Sequence, residues 1–388
     1  LFLAPAPPSD RHGGGALRML HLVRYLGQRF EVDLVSPALD GRQEAEQLLG
    51  NVCAEMEFVP VRKSSRLSRF GHLGPYQTDP AVAEAVHRRI GTRHYQAVQV
   101  EKPAMLPYLP KEHGLPIVLD LWAYGLSGPW RAVKHEQGGL ARARNLIRLV
   151  RLGYFDTFCW PSIFSLLVVS QEDSVRCGRA RPRQRTVIVP NGVDCSAVTG
   201  KPAYDASNPV LLFTGDMSFQ PNIDAAIFLA QEVFPSVRRE HPNAELRFVG
   251  RHPDPRIRAM AQNGVTVTGG VPNMLPHLHE ATVYVAPHFT GAGTRTKLLE
   301  AMAAGLPIVT TTVGIEGIAA QPGRDVLIAD TITGTIDSLL TLLASVEDRR
   351  RLGLAARRVA EARYDWNRCL CPLERLYRDL EDSEALAC

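Results

Sequence analysis

Short apolar, β-branched runs alternate with amphipathic stretches along most of this chain. In the first half the runs fall at residues 32–36, 97–100, 117–121, 166–170 and 187–189, with amphipathic stretches such as 17–28 and 80–90 among them. The second half repeats the rhythm, with runs at 210–214, 246–250, 265–268, 283–286, 307–311 and 326–329. Helical patterns accompany these at 225–240, 255–262, 297–304 and 335–344. Runs apolar at nearly every position read as strands buried on both faces. Strands alternating with helices form the βαβ pattern of parallel sheets. The pattern occurs twice, so an α/β chain with two Rossmann-like parallel-sheet domains is predicted rather than one barrel.

The boundary is legible in turn chemistry. Pro190-Asn191-Gly192-Val193-Asp194 closes the first series, residues 202–209 are polar and linker-like, and a fresh strand opens at Val210. The predicted domains are 1–194, 195–364 and a C-terminal helix from 365 to the end, capped by Asp365 and packing back toward the first domain. Ligand crevices in such sheets lie outside the carboxyl ends of the strands. If those ends face each other, the site lies in the cleft between the domains, and the loops after strands carry the function.

Composition narrows the class. The chain has 388 residues, 45% of them hydrophobic and 22% charged, which excludes a disordered chain, a collagen and a coiled coil. No stretch reaches the ~18 apolar residues of a membrane-spanning helix. Seven scattered Cys without zinc-site spacing, and no signal-peptide pattern, predict reduced thiols and a cytoplasmic protein. Charge is uneven: residues 1–194 hold 25 Lys and Arg against 18 Asp and Glu, a net of +7, while residues 195–388 carry −3. Arg62, Lys63, Arg66 and Arg69 form one basic cluster; Arg131, Lys134, Arg142, Arg144, Arg148 and Arg151 form another. They suit either an anionic phospholipid layer, as a peripheral contact at the inner membrane face, or a phosphorylated acceptor; a plain solvated Arg-rich face is the alternative. No nucleic-acid-binding module appears.

Two loops carry candidate chemistry. After residues 1–4 comes a loop ending in Gly13-Gly14-Gly15, directly before a helix that carries Arg18. Uncovered backbone N–H groups beside a helix N-terminus make a seat for a phosphate or diphosphate. The second loop, from His288 to Pro307, follows the run 283–286. Its glycines Gly291 and Gly293 admit a ligand closely, with Thr294, Thr296 and Leu298 beside them. Arg295 and Lys297 supply two cations. Glu300, placed in the first helical turn, can accept bonds from vicinal hydroxyls. Gly305 and Pro307 end the helix. His288 and His12 are either sugar contacts or structural residues, and Trp122, Tyr124 and Trp130 either stack on a sugar or anchor the core.

At this point the chain resembles the retaining GT-B glycosyltransferases of glycosyltransferase family 4. The second loop is similar to that family's E-x7-E region, with Glu300 as the second Glu and E-A-M-A-x-G-x-P following it. Pro190–Asp194 resembles its P-N-G-V-D, Ser170-Gln171-Glu172-Asp173 its V-S-E-x-D turn, and Tyr364-Asp365-Trp366 its Y-S-W. Gly215 follows the first strand of the second domain, and Gly269-Gly270-Val271-Pro272 is similar to the turn that holds the nucleotide base. The chain departs from the pattern in three places. The first Glu falls at Ala292. The Arg and Lys of G-R-x-x-x-x-K-G are missing from Gly215 to Asn222. The first-domain His is absent, leaving Asp120 as the nearest polar group. Subfamilies with G-x-G-T-R-x-K are similar, and there Arg295 and Lys297 are inferred to hold the diphosphate.

The resemblance implies a GT-B transferase that moves a sugar from a nucleoside-diphosphate sugar to a hydroxyl acceptor, whether glycan, lipid-linked or small molecule. The base would lie at Val271, the ribose on Glu300, and the diphosphate on Arg295, Lys297 and the Gly13–Gly15 loop. Arg295, Lys297 and Asp120 would be catalytic. Gly215, His288, Gly291, Gly293, Thr294, Thr296 and Leu298 complete the donor site. No D-x-D stands at a strand end, so no metal or other cofactor is expected, and the anomeric configuration would be retained. A nucleotide-sugar epimerase and a non-catalytic partner subunit are the alternative readings.

Overall fold

The computed structural model describes the chain except residues 11–12, 62–77, 127–128, 131–132, 135–137, 199–201, 206, 291–292 and 386–388. The chain divides into two compact units, Leu1–Pro190 with Leu370–Cys388, and Asn191–Cys369. The divisions fall at 190 and 369, beside the sequence boundaries of 194 and 364, and the chain's last helix belongs to the first unit.

The first unit is built on seven parallel strands: β1 (Phe2–Leu3), β2 (Asp33–Pro37), β3 (Glu55–Val59), β4 (Val98–Glu101), β5 (Ile117–Leu121), β6 (Ser165–Val168) and β7 (Thr186–Ile188). Their order in the sheet is β3-β2-β1-β4-β5-β6-β7. The helices are α1 (Gly14–Gly27), α2 (Arg42–Leu49), α3 (Pro80–Thr92), α4 (Gly139–Phe158) and α5 (Gln171–Ala180). Asp79 caps α3 by accepting from Ala81 N at 2.9 Å, with Pro80 at the first helical position, where its missing N–H costs nothing. Ser170 caps α5 through Asp173 N at 3.1 Å.

The second unit has six parallel strands: β8 (Val210–Thr214), β9 (Glu245–Val249), β10 (Val265–Val267), β11 (Val283–Ala286), β12 (Ile308–Thr310) and β13 (Leu327–Ile328), ordered β10-β9-β8-β11-β12-β13. β8 and β11 are buried at every position, as their unbroken apolar sequences require. The helices are α6 (Gln220–Ile227), α7 (Phe234–Glu240), α8 (Pro255–Arg258), α9 (Leu275–Glu280), α10 (Thr296–Ala303), α11 (Ile332–Ala344), α12 (Val346–Arg363) and α13 (Trp366–Cys369). A π-helical segment, Phe228–Val233, joins α6 to α7. Pro235, which cannot donate to the carbonyl one turn back, is the second residue of α7. The core contains Phe213 and Phe248, packed edge to face with centroids 6.1 Å apart.

Two expectations are corrected here. The C-terminal pattern from 365 predicts one helix, but α13 ends at Cys369 and a separate α14 (Cys371–Ala385) follows. Pro372 has no N–H to continue the ladder, so the helix restarts there. The strand β3 and the helices α2, α4, α5, α9 and α12 were not assigned from the pattern. β3 is short and only partly buried, so its apolar signal is weak.

Both sheets reverse direction once. The chain steps outward from β1 to β3 and returns on the other side at β4; it does the same from β8 to β10 before β11. The carboxyl ends of β1 and β4, and of β8 and β11, are therefore the two switch points where such sheets open a crevice. At the second one, Gly250 lies against the backbone of Gly215, so close that a Cβ there would overlap the Gly215 carbonyl. We expect Gly250→Ala to cost roughly 1–3 kcal/mol in urea unfolding, as overpacking does, because Gly215 must move. Unchanged stability would show that the two backbones are not locked together.

Candidate functional site

The second switch point gathers the candidate residues. Helix α10 begins at Thr296, with Arg295 at its N-cap position and Lys297 in its first turn. The Lys297 side chain reaches back across the sheet end: a Cβ on Gly215 would lie 2.8 Å from its Nζ and 2.8 Å from Asn222 Nδ2. The loop after β8 and the helix after β11 thus meet at one ammonium. Burial pushes the Lys297 ammonium down to about 8, against the pull of Glu300 and Asp216, while Arg295 and Arg251 push the same way as burial. Glu300 is also raised by burial and held back by Lys297. It lies in the second turn of α10, not the first, because the helix starts at Thr296, so the helix dipole acts on it less than its sequence position implied.

His288 stands at the end of β11. It is buried, and its carbonyl accepts from the Thr311 hydroxyl. Its Nε2 lies 3.1 Å from Asn222 Oδ1, and Asn222 Nδ2 donates to the Asp216 carbonyl at 2.8 Å. With the amide N–H committed, the amide oxygen faces the ring, so Nε2 carries the proton and Nδ1 is an acceptor. Nδ1 is buried without a hydrogen-bond partner. Burial, then Arg295 and Lys297, lowers the imidazole to about 3, so it is neutral. A neutral ring with an open lone pair takes a hydroxyl or N–H from a ligand.

The other candidates are placed as follows. Arg295 folds back on its own loop, donating to the Gly293 carbonyl at 2.5 Å and the Thr290 carbonyl at 3.2 Å. Thr294 is buried, its hydroxyl 3.5 Å from the Gly317 carbonyl, and Thr296 is the first residue of α10. Leu298 points into the core, and its N–H is bonded to the Arg295 carbonyl at 3.0 Å, so it offers a ligand little. Val271 lies after β10, two strands or about 10 Å from β8. Gly293 joins the loop to α10; Gly291 and Ala292 lie outside the described residues. Among the described residues, no group of three or more His, Cys, Asp or Glu could hold a metal ion.

The first switch point is different in kind. Asp120, at the end of β5, is wholly buried and receives Arg18 through two bonds, 2.6 and 2.8 Å. Arg18 also donates to the Val189 and Pro190 carbonyls at 2.9 and 3.2 Å. The Asp120 carboxylate is therefore committed to Arg18 within the fold. Sequence reasoning missed Glu101 and Lys102, although they end the strand run 97–100. Burial, then the nearby Asp120, pushes the Glu101 carboxyl well above the usual carboxylate range. It accepts from Gln99 Nε2 at 2.8 Å and Trp122 Nε1 at 3.1 Å. Lys102 has φ 72°, a left-handed conformation rare for a non-glycine residue, and its Nζ stacks 3.5 Å from the Trp122 ring centre. Gly15 abuts the same ring, where any Cβ would overlap it. Trp122 thus packs against the first turn of α1. The sequence places Gly13–Gly15 in a loop before the helix, but Gly14 and Gly15 are the first two residues of α1 and Gly13 is its N-cap; His12 lies outside the described residues.

Comparison with known proteins fits this geometry. Residues 208–345, which span the Lys297 site, match the family model Glycosyl transferases group 1. A phosphatidyl-myo-inositol mannosyltransferase from Mycolicibacterium smegmatis is 28% identical over 206 residues, covering 49% of this chain and 51% of that protein. The chain thus spans about half the length of the curated relatives it matches. Among solved structures, sucrose-phosphate synthase from Thermosynechococcus elongatus superposes with a TM-score of 0.75 at 16% identity, covering 98% of each chain. Anabaena HepE in complex with UDP and glucose gives 0.67 at 14% identity, again covering 98% of each. The architecture is the two-domain Rossmann-like α/β fold of GT-B glycosyltransferases.

Two outcomes test the site. Above pH ~8 the free Lys297 loses its proton, and binding an anion restores it, so anion binding there takes up a proton and weakens by about tenfold per pH unit. Lys297→Arg should bind with no such pH dependence. Calorimetry in buffers of different ionisation enthalpy measures the uptake; none at pH 9 would remove Lys297 from the anion. At the first switch point, Asp120→Asn should cost about 3–5 kcal/mol by stranding buried Arg18, while Arg18→Met with Asp120→Leu should recover most of it. An Asp120→Asn protein of unchanged stability but lost turnover would instead restore Asp120 to the reacting centre.

Proposed function

We propose that this chain is a glycosyltransferase that moves a sugar from a nucleoside-diphosphate sugar to a hydroxyl acceptor. The observation that carries the reading is the half-buried Lys297 ammonium at the carboxyl end of β8, beside the start of α10, with the open Nδ1 of His288 and the Glu300 carboxyl near it. The base lies toward Val271, the ribose on Glu300, and the diphosphate on Lys297 and the N–H groups that open α10. Arg295 joins by leaving the Thr290 and Gly293 carbonyls. His288 Nδ1 accepts a hydroxyl of the donor sugar in place of the carboxylate missing at Ala292.

The bond from the anomeric carbon to the phosphate oxygen breaks with its electron pair, leaving the nucleoside diphosphate. The acceptor oxygen bonds the same carbon, and its proton passes to the leaving phosphate. With no enzymatic nucleophile identified, transfer on one face retains the configuration. Charge grows on the diphosphate as the bond breaks, and fixed cations aimed at it stabilise that state electrostatically; we assign this role to Lys297 and Arg295 rather than to a metal. The name of the mannosyltransferase relative specifies a phosphatidyl acceptor. Together with the net +7 of residues 1–194, this favours an acceptor at an anionic membrane on the cytoplasmic side, met peripherally. No described helix is long and apolar enough to cross a membrane.

Nucleoside-diphosphate release at saturating donor tests the assignment. Lys297→Ala should lower kcat by ~10²-fold or more, comparable to losing one oxyanion-stabilising group, and Arg295→Ala should lower it less. Turnover should survive EDTA. Near-wild-type kcat for both variants would place the diphosphate elsewhere, and loss that Mg²⁺ restores would overturn the metal-free mechanism.

A further inference from the structure

Helix α4, Gly139–Phe158, has two apolar faces. One faces inward, with Phe155 buried, Leu149 and Leu152 half-buried, and Gly153 packed near Leu126. The other faces out. Leu140 is 91% exposed, Phe158 72%, Val150 64% and Ile147 61%, and Tyr154 is exposed beside Phe158, their rings 5.4 Å apart. At ~100° per residue these five positions fall within an arc of roughly 80°, so they form one stripe on a helix about 30 Å long. Exposed apolar stripes of this size on a soluble unit mark an interaction surface. Arg144 and Arg148, both exposed, lie along one border of the stripe, and Trp130, 55% exposed, precedes the helix. Within α4 the only acid is Asp156, which is half-buried on the opposite side.

We propose that the outward face of α4 docks the first unit onto an anionic phospholipid bilayer, inserting Leu140, Ile147, Val150, Tyr154 and Phe158 among the lipid chains while Arg144 and Arg148 meet the headgroup phosphates. The proposal rests on the membrane reading given above and supplies its contact element. Apolar positions on one face, arginines at its border and aromatic rings at the interface are the pattern of a helix lying in the plane of a bilayer surface. A second copy of the chain suits the face less well, because pairing two α4 helices about a two-fold axis brings arginine borders of like charge together. The inference also alters the expected salt dependence. Headgroup attraction is screened as the Debye length falls from ~10 Å at ~0.1 M to ~3 Å at ~1 M, whereas inserted side chains are not released by salt.

Co-sedimentation of the full chain with phosphatidylcholine vesicles, with and without phosphatidylglycerol, tests the proposal. Binding should require phosphatidylglycerol and leave a measurable remnant at ~1 M salt. Ile147→Ser with Phe158→Ser should reduce binding on the order of tenfold or more and remove the remnant. Arg144→Gln with Arg148→Gln should reduce low-salt binding on the order of tenfold and spare the remnant's apolar character. All four substituted positions are outward-facing, and an unchanged melting temperature checks that the variants fold. Equal binding to both vesicle types, or full binding by Ile147→Ser with Phe158→Ser, overturns the proposal. So does a lipid-free dimer that the same pair of substitutions disperses, since a second copy then covers the face. If UDP, GDP and other nucleoside diphosphates fail to raise the melting temperature while vesicle binding behaves as stated, the docking face stands and the transferase reading falls.

Discussion

An ammonium held half out of water without an ion-pair partner is the constraint around which the second unit is arranged. Among the described residues, Lys297 has Glu300 and Asp216 near enough to be felt but not paired with it. Asp216 is already occupied: the Ser218 hydroxyl and N–H donate to it at 2.6 and 3.1 Å, and Arg251 lies 3.6 Å away. Desolvating a cation costs free energy unless charge and hydrogen bonds offset it, and at Lys297 burial outweighs the pull of Glu300 and Asp216, which leaves a deficit. An anion arriving there removes that deficit. The geometry around it follows: a residue with no Cβ at Gly215 to leave room for Nζ, a backbone held against Gly250, and Asn222 turned so that its oxygen fixes the ring of His288.

The first unit spends its buried charge internally. Arg18 and Asp120 satisfy each other, and Glu101 is satisfied by Gln99 and Trp122. Gln99 then accepts from Tyr377 at 2.7 Å, so the network extends to α14, the last helix. Glu374 on the same helix takes Arg29 at 2.9 Å and Tyr25 at 3.0 Å. These bonds explain why residues beyond 370 belong to the first unit although the chain reaches them from the second. They also separate two kinds of buried carboxyl. Asp120, wholly buried and paired with Arg18, is a strut; Glu101, its carboxyl raised by burial and then by Asp120, is held instead by the neutral donors Gln99 and Trp122.

The two sheets and most of their strands were legible because parallel strands buried on both faces leave unbroken apolar runs; 117–121, 210–214 and 283–286 match the observed strands β5, β8 and β11 end for end. Element ends were less legible where tertiary contacts decide them. The helix carrying Lys297 starts at Thr296 rather than 297, and that one residue helps to set Glu300 in the second turn. The site divides the same way. That cations, glycines and a carboxylate cluster after residue 286 is a matter of spacing, and the sequence shows it. That Lys297 rather than Arg295 reaches Gly215 depends on side-chain direction across two strands, which spacing does not encode. Asn222 was invisible for the same reason, and so was the pairing of Asp120, because its partner, Arg18, lies 102 residues away in the chain.

Helix α4 shows a further limit of pattern reading and what lies beyond it. An apolar position at helical spacing reads the same whether it faces a core or solvent, so Leu149 and Val150 are equivalent in sequence, yet one packs inward and the other lies open. Charge alone points to the same helix but to a weaker mode of contact, since arginines on a surface act over a Debye length and then only adsorb. Combining the two changes the physics. Long-range attraction concentrates the unit near an anionic layer and orients its arginine border toward it, and short-range insertion then holds it there by removing apolar area from water. Neither effect replaces the other: without the arginines the stripe is an aggregation hazard in water, and without the stripe the arginines release with salt.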